Sequence, residues 1–195
     1  MSKPAFKISK KQLIVCVFLC IAILSIVIAI LYPWWYNKRQ MQQYQLKHTE
    51  FVEKYAAEYG VDKALLYAVI RTESSFNANA VSSAGARGLT QITPDTFSWL
   101  QTKTGEKLEL EMLFDPETSI KYGAFFLSML LKEFGETETA LAAYHAGRTK
   151  VNSWLKDREI SPDGKTIPVI PIQQTSHYVN KVMSAYQKYK EIYDF

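Results

Sequence analysis

Cysteine is nearly missing from this 195-residue chain: Cys16 and Cys20 are the only two, and both lie in one apolar run. The rest of the sequence therefore holds neither a disulfide framework nor a cysteine-based zinc site. Histidine is as scarce, and His48, His145 and His177 show no metal-ligand spacing. Nothing in the sequence calls for a metal or an organic cofactor. Sustained period-two alternation is also lacking, apart from short extended pieces expected in 159–172, where three prolines fall. A basic surface is missing too, despite a net charge of +4. Lys3, Lys7, Lys10 and Lys11 stand in an acid-free stretch at 1–12, and without them nineteen basic residues face nineteen acidic ones. No nucleic-acid partner is implied. With 48% hydrophobic and 22% charged residues, wholesale disorder is excluded.

What the chain does have is a long apolar segment. Residues 13–32 read LIVCVFLCIAILSIVIAILY, without a charge and with Ser25 as the one polar side chain. As a helix, twenty residues span about 30 Å, the thickness of a bilayer core. Tyr32, Trp34, Trp35 and Tyr36 follow, as suits amphipathic rings at headgroup level. Four lysines precede the run and only Lys38 and Arg39 follow it, so the N-terminus is expected in the cytoplasm and the remainder outside. A cleaved signal peptide or a lipoprotein is the alternative. The apolar core is longer than a signal peptide needs, no A-x-A-like site follows it, and Phe18-Leu19 before Cys20 is too bulky for a lipoprotein signal. The expected organisation is a basic cytoplasmic tail (1–12), a transmembrane helix (13–32), a Gln-rich stalk or helical continuation (33–48) and a domain at 49–195.

That domain is expected to be all-α. Thr49 can cap a helix through Tyr59 that stops at Gly60, and Asp62 can cap the next, to about Ser74. Asp115-Pro116-Glu117 combines a cap, an N1 proline and a first-turn acid, opening a helix that stops at Gly135. Thr137 starts a helix ending at Ala146-Gly147, Thr149 a short one through Trp154, and Thr175 the last, to about Tyr189. Asp95, after Pro94, is expected to cap a further helix start.

One acid sits where an acid is costly. Leu66, Val69, Ile70 and Glu73 share a helix face, so Glu73 falls on the side expected to be buried. Desolvation raises a carboxyl pKa and makes it a proton donor at neutral pH. Alternatively Glu73 ends the helix facing solvent, or pairs with Arg71 or Arg87. Beyond it, small residues and two glycines at 82–88 permit close backbone approach, to a ligand or within a tight loop.

Glu73-Ser74-Ser75-Phe76-Asn77, then Gly85-Ala86-Arg87-Gly88-Leu89-Thr90-Gln91-Ile92-Thr93-Pro94, then Ala142-Ala143-Tyr144-His145-Ala146-Gly147 resemble the transglycosylase domain of the soluble lytic transglycosylases. These are lysozyme-like peptidoglycan enzymes of glycoside hydrolase family 23. The likeness runs from about Val52 to Tyr186. It implies a lysozyme-like domain with Glu73 as catalytic acid/base, Gln91 bonding substrate, the Tyr144 hydroxyl close to the acid, and Ser82 near the reacting sugar. Thr90 and Thr93 stand where the family favours methionine, which implies weaker apolar contact with sugar rings. His145 replaces an asparagine, changing a local hydrogen-bond network. Gln174 replaces a frequent glutamate, with consequences for affinity or pH response. Trp99 and Trp154 are sugar-stacking candidates that also suit a core.

The implied substrate is the peptidoglycan glycan strand, cut at the β-1,4 bond between N-acetylmuramic acid and N-acetylglucosamine. Glycosidases ordinarily use two carboxylates, and the sequence offers one convincing candidate. A lone acid fits a reaction in which the sugar's own 6-hydroxyl attacks, giving a 1,6-anhydro end. Two rivals stay open: a muramidase like goose-type lysozymes, and a non-catalytic membrane-tethered wall-binding protein. Protein partners are not indicated.

Overall fold

The computed structural model describes residues 9–193 and 195, and these fall into two compact units that divide between Gln45 and Leu46. Residues 1–8 of the basic tail lie outside the described residues.

The first unit is built on one helix, α1 (Lys10–Gln43), which continues past residue 32 into the Gln-rich stretch and ends at Gln43. Ser9 and Gln12 form a reciprocal capping box: each side chain bonds the other's backbone N–H. Pro33 lies inside the helix, and no residue of α1 is buried. Its apolar side chains stay open, from Val27 at 41% to Phe18 at 68% exposure within 13–31. Among the described residues it is the one helix long and apolar enough to cross a membrane.

The second unit contains α2 (Thr49–Tyr59), α3 (Lys63–Ser74), α4 (Pro94–Thr104), a 3-10 turn (Leu110–Phe114), α5 (Pro116–Phe134), α6 (Thr137–Ala146), α7 (Arg148–Lys156) and α8 (Gln173–Ile192). The described residues contain no strand; the 81–92 loop has only isolated bridges from Arg87 to Val81 and Ile92. The architecture is all-α. Helix α3 is buried without interruption from Ala64 to Ile70 and packs along α8; α5 lies against α2 and α6, and α6 also meets α7 and α8. Burying a Leu or Ile side chain contributes about 1.5–3 kcal/mol, so a run with Leu65, Leu66, Val69 and Ile70 fixes where α3 must lie.

Capping explains most of the boundaries. Asp62 accepts from the Ala64 and Leu65 amides, and Asp115 from Thr118. Three sequence expectations need correction. The N-cap of α2 is His48, in a left-handed conformation, and Thr49 is already helical. The cap of α4 is Thr93, whose hydroxyl accepts from the Thr96 amide, while Asp95 is only the acid of the first turn. No extended strand forms at 159–172. Instead the Asp163 carboxylate gathers the amides of Lys165 and Thr166 and the Thr166 hydroxyl, a turn whose own hydrogen bonds replace a partner strand. At its ends α8 is longer than expected, starting at Gln173 and closing at Ile192.

Candidate active site

Glu73 occupies the last turn of α3, one turn beyond the fully buried Val69 and Ile70. The helix is stopped sharply after it: Ser75 and Phe76 both take positive φ, 51° and 64°. Such conformations cost non-glycine residues about 1 kcal/mol or more each and persist only where surrounding contacts enforce them. One such contact is the Ser74 hydroxyl, which donates to Leu89 O at 2.8 Å and ties the end of α3 to the following loop. The loop is folded tightly on itself, with the Gly88 amide bonded to Ala80 O and the Arg87 amide to Ile92 O. Gly88 has φ +77°, and a Cβ there would lie 1.8 Å from Leu113 O, so no side chain fits.

The Glu73 carboxyl keeps an outlet to solvent, since the residue is half-buried, but protein surrounds it enough that desolvation governs its titration. Burial pushes its pKa up to about 7, against the opposing pull of the Tyr178 hydroxyl and the more distant Lys181 ammonium. Arg87, one of the partners considered from sequence, is instead paired with Glu111 at 2.8 Å. No second carboxylate is among the groups that act on Glu73.

Two tyrosines complete the surroundings of the acid. The Tyr144 hydroxyl, from α6, donates to Thr90 O at 2.8 Å; burial and the nearby Glu73 charge raise its pKa far above the ordinary value. Tyr178, from α8, is 8% exposed, and its hydroxyl is buried beside Glu73 without a complete hydrogen bond among the described residues. Neither phenol ionises at physiological pH, so both serve as neutral dipoles at the carboxyl. Tyr178 and Lys181 are not part of the motifs that single out Glu73. The signal for Tyr178 is the buried spacing Thr175, Tyr178, Val182, Ala185, Tyr189 along α8, which turns it toward α3.

The remaining sequence candidates are placed as follows. Gln91, at φ +51°, donates from Nε2 to Ala80 O (3.1 Å) and Gly88 O (2.9 Å), so its amide nitrogen holds the loop and its Oε1 is the atom left for a ligand. Ser82 is exposed, with its hydroxyl accepting from the Ala86 amide. Thr93 is half-buried and engaged in capping α4. Gln174 is exposed on the first turn of α8. The structure thus brings Tyr144 to Glu73, while the described contacts of Ser82 and Thr93 are within the loop and the α4 cap. Thr90 is fully buried, so the threonine itself presents no surface to a sugar ring. Its hydroxyl donates to Ser119 O at 2.7 Å and its methyl fills the notch over Gly123, so it shapes the floor under Tyr144. Trp154 is buried, and Trp99 packs edge-on against Phe126 at 6.3 Å. No cluster of three or more His, Cys, Asp or Glu suited to a metal occurs among the described residues.

Residues 50–167 match the model of the transglycosylase SLT domain. The chain is 29% identical over 158 residues to the soluble lytic murein transglycosylase of Escherichia coli, covering 76% of this chain and 24% of that protein. It is 38% identical over 112 residues to membrane-bound lytic murein transglycosylase C of Yersinia pestis, covering 54% and 31%. Among solved structures, the 70-kDa soluble lytic transglycosylase of E. coli superposes with a TM-score of 0.69 at 26% identity, over 78% of this chain and 25% of that one. The chain therefore spans about a quarter to a third of the length of these relatives. The domain has the lysozyme-like fold of these enzymes, preceded by a long apolar helix. With its family model matched across more than half of its length, this protein belongs to the transglycosylase SLT domain family.

Proposed function

We propose that this protein is a membrane-anchored peptidoglycan lytic transglycosylase that cleaves the β-1,4 bond between N-acetylmuramic acid and N-acetylglucosamine and leaves a 1,6-anhydro-N-acetylmuramic acid end. The observation that carries the proposal is Glu73: a carboxyl pushed up to about 7 by burial, with no other acid acting on it. Protonated, it donates to the leaving glycosidic oxygen; as carboxylate it then takes the proton of the sugar's 6-hydroxyl while that oxygen bonds to C1. An intramolecular nucleophile has an effective molarity of about 10⁵ M or more, which removes the need for a second carboxylate to activate water. Tyr178 and Tyr144, both neutral, flank the carboxyl as it protonates and deprotonates. Ser82, Gln91, Thr93 and Gln174 remain candidates for substrate contact, with Gln91 offering Oε1.

The segment 13–32 of α1 would place the domain at the outer face of the membrane. Support comes from the open apolar surface of the helix, from Trp34 and Trp35 at its end, and from Lys38 and Arg39, which lie 5.0 and 5.3 Å from those two ring centres. A protease-protection assay that finds the C-terminal domain sheltered in the cytoplasm would overturn this topology.

Product analysis tests the chemistry. Purified wall digested with the full chain should yield muropeptides with 1,6-anhydro ends, read by mass as products lacking one water relative to hydrolysis. Reducing muramic acid ends as the sole product would make the protein a muramidase. No cleavage by the wild type, with glycan binding retained, would make it a wall-binding protein. Bulgecin A, bound in a solved complex of a 70-kDa soluble lytic transglycosylase, provides a binding probe independent of turnover.

A further inference from the structure

Tyr178 poses a physical problem. Its hydroxyl is buried beside Glu73, yet it lacks a complete hydrogen bond among the described residues. A buried hydroxyl with an incomplete hydrogen bond costs about 1–3 kcal/mol, so its pull on the Glu73 carboxylate does not by itself hold the ring in place. Packing must therefore help hold the ring, and one packing contact is an imidazole. His145 lies on Tyr178 with ring centres 4.6 Å apart and planes inclined by 28°. Its Nδ1 is hydrogen-bonded to the Thr175 hydroxyl at 3.1 Å, and Thr175 is buried one turn before Tyr178 on the same helix. The imidazole is thus fixed at two points on α8, by a stacked face and by an edge.

We propose that His145 is a positioning residue: stacked on Tyr178 and tied to Thr175, it clamps the Tyr178 hydroxyl against the Glu73 carboxyl. The inference rests on Glu73 being the reacting acid. An asparagine at position 145 would offer no ring to stack, so the histidine adds a contact that an amide lacks. His145 is exposed on its outer side, and partial burial lowers its pKa with no charged group acting on it, so the ring is mostly neutral at pH 7. The groups facing Glu73 are Tyr144 from α6 and Tyr178 and Lys181 from α8. Of these, the Tyr178 hydroxyl favours the charged carboxylate, so loosening it makes Glu73 hold its proton to higher pH.

The test measures the Glu73 carboxyl directly, by infrared difference spectroscopy of the full chain in detergent with Glu73→Gln as the subtraction reference. His145→Ala should move the titration of the protonated carboxyl band up by about half a pH unit, the shift equivalent to a ring pair of ordinary strength. His145→Phe keeps the stack and should stay close to wild type. Tyr178→Phe should show the full upward shift, and adding His145→Ala to it should change nothing more. A wild-type titration in His145→Ala, equal shifts in His145→Phe and His145→Ala, or additive shifts in the double variant would each overturn the clamp. The spectroscopic result holds whether or not the chain cleaves glycan. A failure of the enzymatic reading, seen as no cleavage by wild type, is thereby distinguished from a failure of the clamp.

Discussion

Two regions of the domain set a glutamate beside a tyrosine and a lysine, and the glutamates end in opposite states. Where α4 runs into α5, Glu106 accepts from Lys121 Nζ at 2.6 Å and from the Tyr122 hydroxyl at 2.7 Å, and these contacts hold its pKa below the usual carboxylate range. Where α3 meets α8, Glu73 has Tyr178 and Lys181, yet its pKa rises to about 7. A third copy of the trio, Glu117 with Lys54 and Tyr55, behaves like Glu106. Residue identity therefore does not decide the outcome. The lysine touches Glu106 and Glu117, whereas Lys181 is exposed and acts on Glu73 only through space. Burial without a contacting cation keeps a carboxyl protonated, and only that glutamate can donate a proton near pH 7.

The largest expected difference between the regions is in turnover. Glu73→Gln removes the proton donor with little change in shape and should lower the rate of anhydro-muropeptide release by about 10²–10⁴-fold. Glu106→Gln should leave it at the wild-type level. Equal losses in the two variants would mean that the contrast between the carboxyls has nothing to do with chemistry.

Stability should move in opposite directions. A carboxyl whose folded pKa lies above its unfolded value binds more protons folded than unfolded, so its charged form destabilises the fold as pH rises from about 4.5 to 7. Glu73→Gln should therefore stabilise the full chain by up to about 3 kcal/mol at pH 8 and by nothing at pH 4, read from denaturant midpoints in detergent. Glu106 carries the other sign: its depressed pKa contributes stability above the unfolded value, lost as pH falls through the folded one. At pH 8, Glu106→Gln should cost about 0.5–1 kcal/mol. Midpoints that shift the same way in both variants would remove burial as the cause of the difference.

The floor under Tyr144 is tightly packed, and that too is open to test. A Cβ on Gly123 would fall 2.4 Å from the Thr90 methyl and 2.5 Å from its Cβ, neither of which can yield because Thr90 is bonded to Ser119 on both its amide and its hydroxyl. Gly123→Ala should destabilise by about 1–3 kcal/mol. Because Thr90 O anchors Tyr144, cleavage should fall along with stability. A variant of unchanged stability would show that the floor gives way.

Much of this was open to inference from the sequence, and the reasons are local. The Asp62, Asp115 and Gly135 signals work because caps and left-handed stops are decided by neighbours in the chain. Glu73 was legible because three aliphatic residues on its helical face fix its direction. The role of Thr90 was not, since its burial depends on Gly123 and Ser119, some thirty residues on. The same is true of Tyr178, which reaches Glu73 only because α8 lies along α3. The turn at Asp163 replaced an expected strand because a carboxylate can satisfy several amides that a strand would pair with a neighbour. Contacts between distant parts of the chain, rather than local preferences, account for what periodicity could not show.

The smallest effect bears most directly on the contrast between a touching lysine and a distant one. Glycan cleavage should decline as pH rises through about 7, as Glu73 loses its proton. Lys181 favours the carboxylate from a distance, so Lys181→Met should move that decline upward by about 0.3 pH unit at low ionic strength. Salt screens an exposed charge, and near 1 M, where the Debye length is ~3 Å, wild type and variant should coincide. Lys121 gives the opposite expectation for Glu106: a bond of 2.6 Å leaves no room for screening ions, so Lys121→Met should raise the Glu106 titration by a similar amount at every salt concentration. If the Lys181 effect also survived 1 M salt, the lysine would have to contact Glu73 in solution. Burial alone would then not explain why this acid keeps its proton.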